Sequence, residues 1–277
     1  MVMPDVAVTS NRPDRCFDSG KPIISVVTVV YNAAKELPET IRSVKNQSYE
    51  NIEYIVVDGA STDGTLNVIK ENETFIYTWL SEPDNGVYDA MNKALKYATG
   101  DWVIFLGAGD ILLNVLHDVA IHLTDPLTVY YGDVYQPGKH RIYAGRFNRH
   151  KLSRINIPHQ AIFYPKQLLT EKQFELKYRI MADYVFNIQV YGAGRFNFEC
   201  LRMLIAIYED AEGLSSCNRD MAFDSDHYRI LQENFGATTG YEYAIREFLR
   251  TIEREYLRKG LRKLKGLFSG SSRRTIG

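Results

Sequence analysis

Long hydrophobic runs are absent from this chain of 277 residues. No apolar stretch approaches the roughly 20 residues that a helix needs to cross a bilayer, and the first residues lack the apolar segment of a secretory signal. Cysteine is scarce as well: Cys16, Cys200 and Cys217 stand far apart and form no paired motif of a disulfide framework or a metal site. These absences predict a cytoplasmic protein, either free or bound peripherally to the inner face of the cell membrane.

An excess of charge of one sign is also missing, because the formal net charge is −1. No overall field attracts nucleic acid, so nucleic acid is not a predicted partner. The charge is distributed unevenly, however: residues 246–274 contain ten basic and three acidic residues, which leaves +7 there and −8 elsewhere.

Apolar residues recur at helical spacing in the same basic tail. Two interpretations stay open: an amphipathic helix packed on protein, or a helix lying on an anionic membrane surface. The apolar positions are Ile245, Phe248, Leu249, Ile252, Tyr256, Leu261, Leu264, Leu267 and Phe268.

Strand-like and helix-like segments alternate in the first half of the chain. Runs rich in β-branched residues predict strands at 24–30, 52–58, 75–80 and 102–106, with helices between them around 37–44, 65–69 and 87–98. After residue 125 the pattern changes to a hairpin around Pro137 and Gly138, strands at 162–164 and 202–208, and a helix at 182–191. The sequence therefore predicts an α/β fold with a mainly parallel sheet, which the second half completes as a mixed sheet flanked by helices.

Polar and small residues follow each of the four predicted strands. The strand ends read Val29-Val-Tyr-Asn32, Val57-Asp-Gly-Ala-Ser-Thr-Asp63, Ser81-Glu-Pro-Asp-Asn-Gly86 and Leu106-Gly-Ala-Gly-Asp110. In an open α/β sheet, ligands bind beyond the carboxyl ends of the strands. This edge is predicted to hold a nucleotide, with carboxylates for the base, the ribose and a cation on a diphosphate.

The same blocks resemble the family 2 inverting glycosyltransferases of the GT-A fold. The resemblance extends from Ser25–Asn32 through Val56–Thr65, Ser81–Lys93, Ala98–Asp101 and Phe105–Asp110, and continues more thinly in Pro158–Phe163 and Met181–Tyr184. It suggests a flexible lead-in at 1–21, one GT-A domain at 22–220 with a nucleotide-binding half (22–125) and an acceptor half (126–220), and a basic, amphipathic helical extension at 221–277.

The resemblance also implies an activity. A sugar would pass from a UDP- or GDP-sugar donor to a hydroxyl of a glycan or lipid-linked glycan, with inversion, in the biosynthesis of cell-surface polysaccharide. Val29, Tyr31, Asn32 and Asp58 would contact the nucleotide base. Asp110 would hold a divalent cation, Mn²⁺ or Mg²⁺, because the leaving diphosphate gains negative charge.

In this family the catalytic base falls at the position of Asp183, which would take the proton of the acceptor hydroxyl. One departure concerns the cation: the usual acidic pair of the family is reduced here to Gly107-Ala-Gly-Asp110, with a single carboxylate.

Several candidate residues carry two interpretations. Asp63 either caps the following helix or contacts the nucleotide, and Asp84 either shapes a turn or binds the donor. Lys93 is either a solvated lysine near a helix end or a contact of the donor phosphates. His159 is either structural or a contact of the acceptor or phosphate.

Two other functions compete with glycosyl transfer. A nucleotidyltransferase has a similar architecture, but residues 30–34 after the first strand lack its glycine-rich basic loop. A non-catalytic, membrane-associated scaffold built on a decayed transferase domain is compatible with the lone Asp110 and the basic tail. A dinucleotide-dependent dehydrogenase is disfavoured, since no G-x-G-x-x-G follows a predicted strand.

Overall fold

A single mixed sheet runs through the centre of the protein. The structure is a computed structural model that describes residues 7–9, 17–143, 145–208, 219–246 and 249. Within these residues the sheet has ten strands. The strands are β1 (Ala7–Thr9), β2 (Ile24–Val30), β3 (Ile52–Asp58), β4 (Thr78–Ser81), β5 (Trp102–Gly107), β6 (Ile111–Leu112), β7 (Thr128–Gln136), β8 (Arg141–Tyr143), β9 (Ile162–Pro165) and β10 (Asn197–Ile207).

Helices connect these strands and cover the sheet. They are α1 (Leu37–Lys45), α2 (Thr65–Glu71), α3 (Val87–Ala94), α4 (Leu116–His122), α5 (Arg149–Leu152), α6 (Lys166–Glu171), α7 (Ala182–Ala193) and α8 (Met221–Phe235). Short 3₁₀ turns occupy Pro137–Lys139 and His159–Ala161. Residues 237–246 are helical as well.

The strand order is β1-β4-β3-β2-β5-β9-β7-β10-β6, and β8 pairs with β7 as a hairpin. Strands β2 to β5 are mutually parallel, and so are β7 and β10, whereas β9 is antiparallel to both β5 and β7. The predicted α/β fold with a mixed, mainly parallel sheet and C-terminal helices is confirmed.

Alternate residues of β2 face two different cores, which explains its unbroken apolar sequence. Val27 and Val29 pack in a cluster with α3, α7 and α8, while Val26 and Val30 pack in a cluster with α1, α2 and α4. Because helices cover both faces, all seven residues of β2 are buried.

Several boundaries differ from the sequence predictions. The strand predicted at 202–208 spans Asn197–Ile207. The strand predicted from Phe75 begins at Thr78, because the backbone N–H groups of residues 75 and 76 both bond to Asn72 O at the end of α2. The helix predicted to reach Ala98 ends at Ala94, and residues after it form turns. Ala7–Thr9, placed in the loose lead-in by sequence, form β1 and pair with the outer edge of β4.

The described helices include none long and apolar enough to span a membrane. The predicted flexible lead-in at 1–6 and 10–16, and the basic tail from residue 250 onward, lie outside the described residues.

Candidate active site

The carboxyl ends of β3 and β5 lie on either side of the end of β2. Val30 of β2 is in register with Asp58 of β3, and Val29 is in register with Gly107 of β5. Neighbouring strands are about 4.8 Å apart, so roughly 10 Å separate the two outer strands. Asp58 and the loop that ends in Asp110 therefore lie at one edge of the sheet, as the strand pattern predicts. We call this edge the nucleotide rim: it consists of the carboxyl ends of β2, β3, β4 and β5 and the loops that follow them, as far as Asp110.

Asp58 is completely buried and its carboxylate is held by two serines. Oδ2 accepts from Ser81 Oγ at 2.6 Å and from Ser61 N at 3.1 Å, and Oδ1 accepts from the Ser61 hydroxyl. The bonds to Ser61 close the turn after β3. They also fix the direction of the carboxylate.

Gly59 and Asp84 approach each other closely beside Asp58. A Cβ atom on Gly59 would lie 2.5 Å from Asp84 Oδ2, so only glycine fits there without displacing that side chain. Asp84 Oδ1 accepts from Gly86 N at 2.8 Å, which is the predicted turn contact. Burial raises the pKa of Asp84 above its ordinary value, while the bond from Gly86 acts in the opposite direction.

Asn32 joins the loop after β2 to the loop after β3. Its Oδ1 accepts from Thr62 N at 2.9 Å and its N–H donates to Ser61 Oγ at 2.8 Å, with the backbone in the left-handed region at φ 48°. Val29 is buried, whereas Asn32 is exposed and Tyr31 is 64% exposed, so Tyr31 and Asn32 present the open surface at the rim.

Asp63 reinforces this loop junction. Its carboxylate accepts from Ala34 N at 3.1 Å and from Thr65 N at 3.0 Å. The N-cap residue of α2 is Gly64, so the interpretation of Asp63 as the cap needs correction. Asp63 precedes the cap, accepts from the first helical residue, Thr65, and also accepts from Ala34 in the neighbouring loop. Hydrogen bonds from Thr65 and Ala34 lower its pKa.

Lys93 is not a solvated lysine. Its Nζ lies 3.1 Å from Glu82 Oε1 and 3.4 Å from Asp89 Oδ2, donates to Pro83 O at 2.7 Å, and its side chain is only 20% exposed. Burial alone would lower the pKa of this amine, but the two carboxylates raise it. The charge of Lys93 also acts on Asp84, so the lysine stands at the same part of the rim.

Asp110 is 4% exposed and is anchored in the loop after β5. Its Oδ2 accepts from Gly107 N at 2.7 Å, and its backbone oxygen accepts from Thr40 Oγ1 at 2.9 Å. Among the residues that the structure describes, no group of three or more His, Cys, Asp and Glu could enclose a metal ion. Mg²⁺ commonly takes one or two protein carboxylates and fills its other positions with phosphate oxygens and water. Asp110 fits a cation of that kind, and it does not fit a preformed protein cage.

Asp183 lies in the first turn of α7 and is surrounded by donors from distant parts of the chain. Oδ1 is 2.7 Å from Tyr88 Oη and 2.8 Å from Tyr184 N, and Oδ2 is 2.9 Å from Asn156 Nδ2 and 3.1 Å from His159 Nδ1. The side chain is 7% exposed. Sequence analysis singled out both Asp183 and His159, and the structure brings them into contact.

His159 contacts Asp183 and lies near Asp110 of the nucleotide rim. It begins the 3₁₀ turn His159–Ala161, which packs against β5, and the charge of Asp110 acts on its imidazole. Burial alone would lower the pKa of the imidazole, but the hydrogen bond and charge of Asp183, together with the charge of Asp110, raise it above its ordinary value.

Five residues of this region were missed by the sequence analysis: Ser61, Ser81, Thr40, Tyr88 and Asn156. Ser61, Ser81 and Tyr88 lie inside the blocks that carry the family resemblance, and a search for hydroxyls near each carboxylate within those blocks would have found them. Thr40 on α1 and Asn156 before β9 carry no sequence signal, because only the tertiary packing brings them to the carboxylates.

Comparison with known proteins gives one family throughout. The sequence model described as "Glycosyl transferase family 2" matches residues 25–187. A PGL/p-HBAD biosynthesis glycosyltransferase of Mycobacterium bovis (strain BCG / Pasteur 1173P2) is 35% identical over 211 residues, which are 73% of this chain and 82% of the relative. The putative teichuronic acid biosynthesis glycosyltransferase TuaG of Bacillus subtilis (strain 168) is 40% identical over 93 residues, which are 32% of this chain and 37% of TuaG.

Solved structures agree on the fold. Staphylococcus aureus TarS 1–349 in complex with UDP-GlcNAc superposes with a TM-score of 0.59 at 20% identity, covering 75% of this chain and 64% of that one. The mannosyltransferase PcManGT of Pyrobaculum calidifontis in complex with GDP-Man and Mn²⁺ gives a TM-score of 0.55 at 18% identity, covering 82% of this chain and 65% of the mannosyltransferase chain. The family match spans more than half of the sequence, and the mycobacterial relative is matched over most of its length: the chain belongs to glycosyl transferase family 2.

Proposed function

We propose that this glycosyltransferase moves a sugar from a UDP- or GDP-sugar to a hydroxyl of a glycan or lipid-linked glycan, with inversion, in the biosynthesis of a cell-surface polysaccharide or glycolipid. One observation carries the proposal: Asp58 and Asp110 share one edge of the sheet, and the Asp183–His159 pair stands next to it. The donors in the TarS and PcManGT complexes are UDP-GlcNAc and GDP-Man, and the mycobacterial relative is named a PGL/p-HBAD biosynthesis glycosyltransferase.

The nucleotide is assigned to the rim around Asp58. Asp58 accepts from the imide or amide N–H of the base, Tyr31 supplies an exposed aromatic ring, and the bonds of Asn32 and Asp63 keep the two rim loops together. Lys93 supplies positive charge beside Asp84, toward the sugar diphosphate.

Asp110 is assigned to a Mn²⁺ or Mg²⁺ ion that stabilises the negative charge developing on the leaving diphosphate. The contribution of the protein is the fixed position of this carboxylate: Gly107 N and Thr40 hold the loop on both sides of it. Preorganised groups of this type need no rearrangement when the charge develops.

The Asp183–His159 pair is assigned to the acceptor hydroxyl. Asp183 takes its proton while the oxygen attacks the anomeric carbon opposite the diphosphate, and a single displacement of this kind inverts the configuration. Tyr88 and Asn156 hold the carboxylate from α3 and from the segment before β9.

A lipid-linked acceptor is supported by an exposed apolar stripe on the C-terminal helix. Tyr241, Ile245 and Leu249 follow one another at intervals of four residues and are 58%, 60% and 58% exposed. Tyr243, on the opposite side, packs on the ring of His227. The ten basic residues of the tail begin in the same helix. Apolar and basic residues together suit an anionic membrane surface.

Release of nucleoside diphosphate from a panel of UDP- and GDP-sugars, with and without Mn²⁺ or Mg²⁺, tests the proposal. One donor should be hydrolysed slowly in a cation-dependent manner, with water in place of the acceptor. Asp183→Asn should reduce that rate by about 10²- to 10⁴-fold and leave the affinity for the donor unchanged. Exposed Asp118→Asn serves as the matched control.

Other outcomes favour the rival functions. Release of inorganic pyrophosphate from a nucleoside triphosphate plus a sugar phosphate would replace the proposal by nucleotidyl transfer. Vesicle binding with no affinity for any nucleotide sugar in thermal shift would support a non-catalytic scaffold.

A further inference from the structure

Positive charge is concentrated in one segment that follows β7. Residues 139–154 contain six lysine and arginine residues and no acid, and no aspartate or glutamate occurs from Val134 to Thr170. Outside its basic tail the chain carries a formal charge of −8, so this segment differs in sign from the rest. A surface with one sign of charge attracts ligands of the opposite sign.

Four arginines of this segment are exposed, and we call them the arginine surface: Arg141, Arg146, Arg149 and Arg154. Among the described residues, no carboxylate pairs with any of them, although four other arginines of the protein form surface ion pairs. Arg141 donates from Nε to Gln136 Oε1 at 2.8 Å, and its two outer nitrogens stay available. Guanidinium groups present a planar fork of donors that matches phosphate oxygens. The arginine surface therefore suits a ligand that carries phosphate.

Aromatic rings and the short helix α5 hold these arginines on one face of the sheet. The guanidinium of Arg141 stacks 5.4 Å from the centre of the Tyr143 ring. That ring lies 6.5 Å from the ring of Phe147, the neighbour of Arg146. Helix α5, which begins at Arg149, packs in the same core cluster as Phe147 through its buried leucine. The arginine surface thus belongs to the face of the sheet that α7 and α8 cover.

The arginine surface is continuous with the apolar stripe on the C-terminal helix. Arg149 Nη1 lies 3.5 Å from Phe235 O at the end of α8, and His150 Nδ1 lies 3.8 Å from Glu242 Oε2. Glu242 precedes Ile245 by three residues, so the two side chains are neighbours on the helix surface. Ile245 is 60% exposed and belongs to the stripe. These contacts bring exposed cationic groups and exposed apolar groups side by side.

We propose that the arginine surface and the apolar stripe together dock the protein on an anionic lipid bilayer. The arginines bind the phosphates of the lipid headgroups, and the stripe enters the apolar boundary below them. A soluble polyanion would engage the arginines but leave the apolar stripe in water, which favours the bilayer. The inference goes beyond the proposed function, because docking needs no sugar transfer. The face covered by α7 and α8 then meets the lipid.

Co-sedimentation of the full chain with vesicles of phosphatidylglycerol and phosphatidylcholine, at about 0.1 M salt, tests the inference. The variant that combines Arg146→Gln, Arg149→Gln and Arg154→Gln should bind about 100-fold more weakly than the wild type. The reason is that each basic residue near an anionic surface contributes roughly a factor of five to the affinity.

A matched control replaces Arg42, Lys45 and Lys70 by glutamine, which removes the same charge from α1 and α2 on the opposite face of the sheet. The control should bind within about threefold of the wild type, because charges more than roughly 10 Å from the lipid are screened at this salt concentration. Equal affinities of the two triple variants would overturn the inference. Normal vesicle binding by the arginine variant, with loss of thermal stabilisation by inorganic pyrophosphate, would also overturn it and assign the arginines to a soluble phosphate ligand.

A measurement on the wild-type chain avoids any effect of the substitutions on folding. Amide hydrogen exchange should slow at residues 146–155 and 241–246 when the same vesicles are added. Protection confined to residues 250–277 would contradict the inference, because the basic tail alone would then hold the membrane. Neither measurement involves turnover, so failure of sugar transfer would count against the proposed function and leave both results decisive for docking.

Discussion

At the scale of single residues, the carboxylates of Asp58 and Asp110 are held by neutral donors. Asp58 is bound by serine hydroxyls and Asp110 by a backbone N–H, and both are almost completely buried. Neutral donors satisfy a buried carboxylate without cancelling its charge. Each carboxylate therefore keeps its negative charge, which the proposed contacts with a nucleotide base and a cation require.

Asp110→Asn tests the assignment of the cation. The amide oxygen of asparagine can still accept from Gly107 N, so the loop should keep its shape, but a neutral ligand binds Mn²⁺ or Mg²⁺ weakly. We expect a loss of about 10²- to 10³-fold in the cation-stimulated rate, measured as release of nucleoside diphosphate against cation concentration. Asp118→Asn on the surface should behave as wild type. An unchanged half-saturating cation concentration in Asp110→Asn would remove Asp110 from this role.

Sequence alone could predict the residues at the nucleotide rim. Asp58 and Asp110 follow strands whose apolar pattern is clear, and parallel strands bring their carboxyl ends to one edge. The contacts of Asp183 could not be predicted in the same way. Tyr88 is 95 residues and His159 is 24 residues away in sequence, and their meeting depends on how α3, α7 and β9 pack.

At the scale of elements, one residue ties the start of α7 to the start of α8. Asp220 is the N-cap of α8, where its Oδ1 accepts from Phe223 N at 3.2 Å. Its Oδ2 accepts from Ile180 N at 2.8 Å and from Met181 N at 3.1 Å, immediately before α7. The helix that carries Asp183 is therefore fixed at its N-terminus from a distant part of the chain.

Asp220→Ala should destabilise the protein by about 2–3 kcal/mol, because it removes a helix cap and leaves two further N–H groups without that acceptor. Thermal unfolding is the measurement, with a fall in Tm of roughly 5 °C or more expected. Asp224→Ala is the matched control, since Asp224 is exposed in the first turn of the same helix and pairs only at the surface with Arg219. Equal Tm values for the two variants would contradict the capping argument.

The exposed stripe on the C-terminal helix gives a prediction at the same scale. Replacing Tyr241, Ile245 and Leu249 by serine removes apolar area that would insert into a membrane, so binding to vesicles of phosphatidylglycerol and phosphatidylcholine should fall about tenfold or more. Co-sedimentation measures it. Ile121→Ser on α4 is the control, because Ile121 is 67% exposed on the opposite side of the sheet. If the triple variant binds vesicles normally but changes a dimer into a monomer, the stripe is a protein interface.

Element boundaries were predictable where periodicity was strong. Strands β2, β3 and β5 agree with their apolar runs, and Leu37, Ile41 and Val44 of α1 are buried as their spacing predicts. The start of β4 was not predictable, because Phe75 and Ile76 look like strand residues while their backbone groups complete the end of α2. Local hydrogen bonding outweighed intrinsic β-propensity there.

At the scale of the whole molecule, sequence predicted the α/β class and the site edge but not the strand order of the second half. Strand β9 has an ordinary apolar sequence, and nothing in it indicates that it runs antiparallel between β5 and β7. This direction brings the amino end of β9 to the edge where β5 ends, and thus delivers His159 to the rim. The predicted division of the domain at residues 125 and 126 stays a prediction.

The placement of β6 also has a consequence for how the chain must assemble. Strands β5 and β6 are only three residues apart in sequence, yet β9, β7 and β10 lie between them in the sheet. The first half of the protein thus leaves a gap that later-synthesised strands must fill, and pairing across such long sequence separation is slow. A fragment ending at residue 125 should expose bare strand margins and precipitate, whereas co-expression with residues 126–277 should recover soluble material.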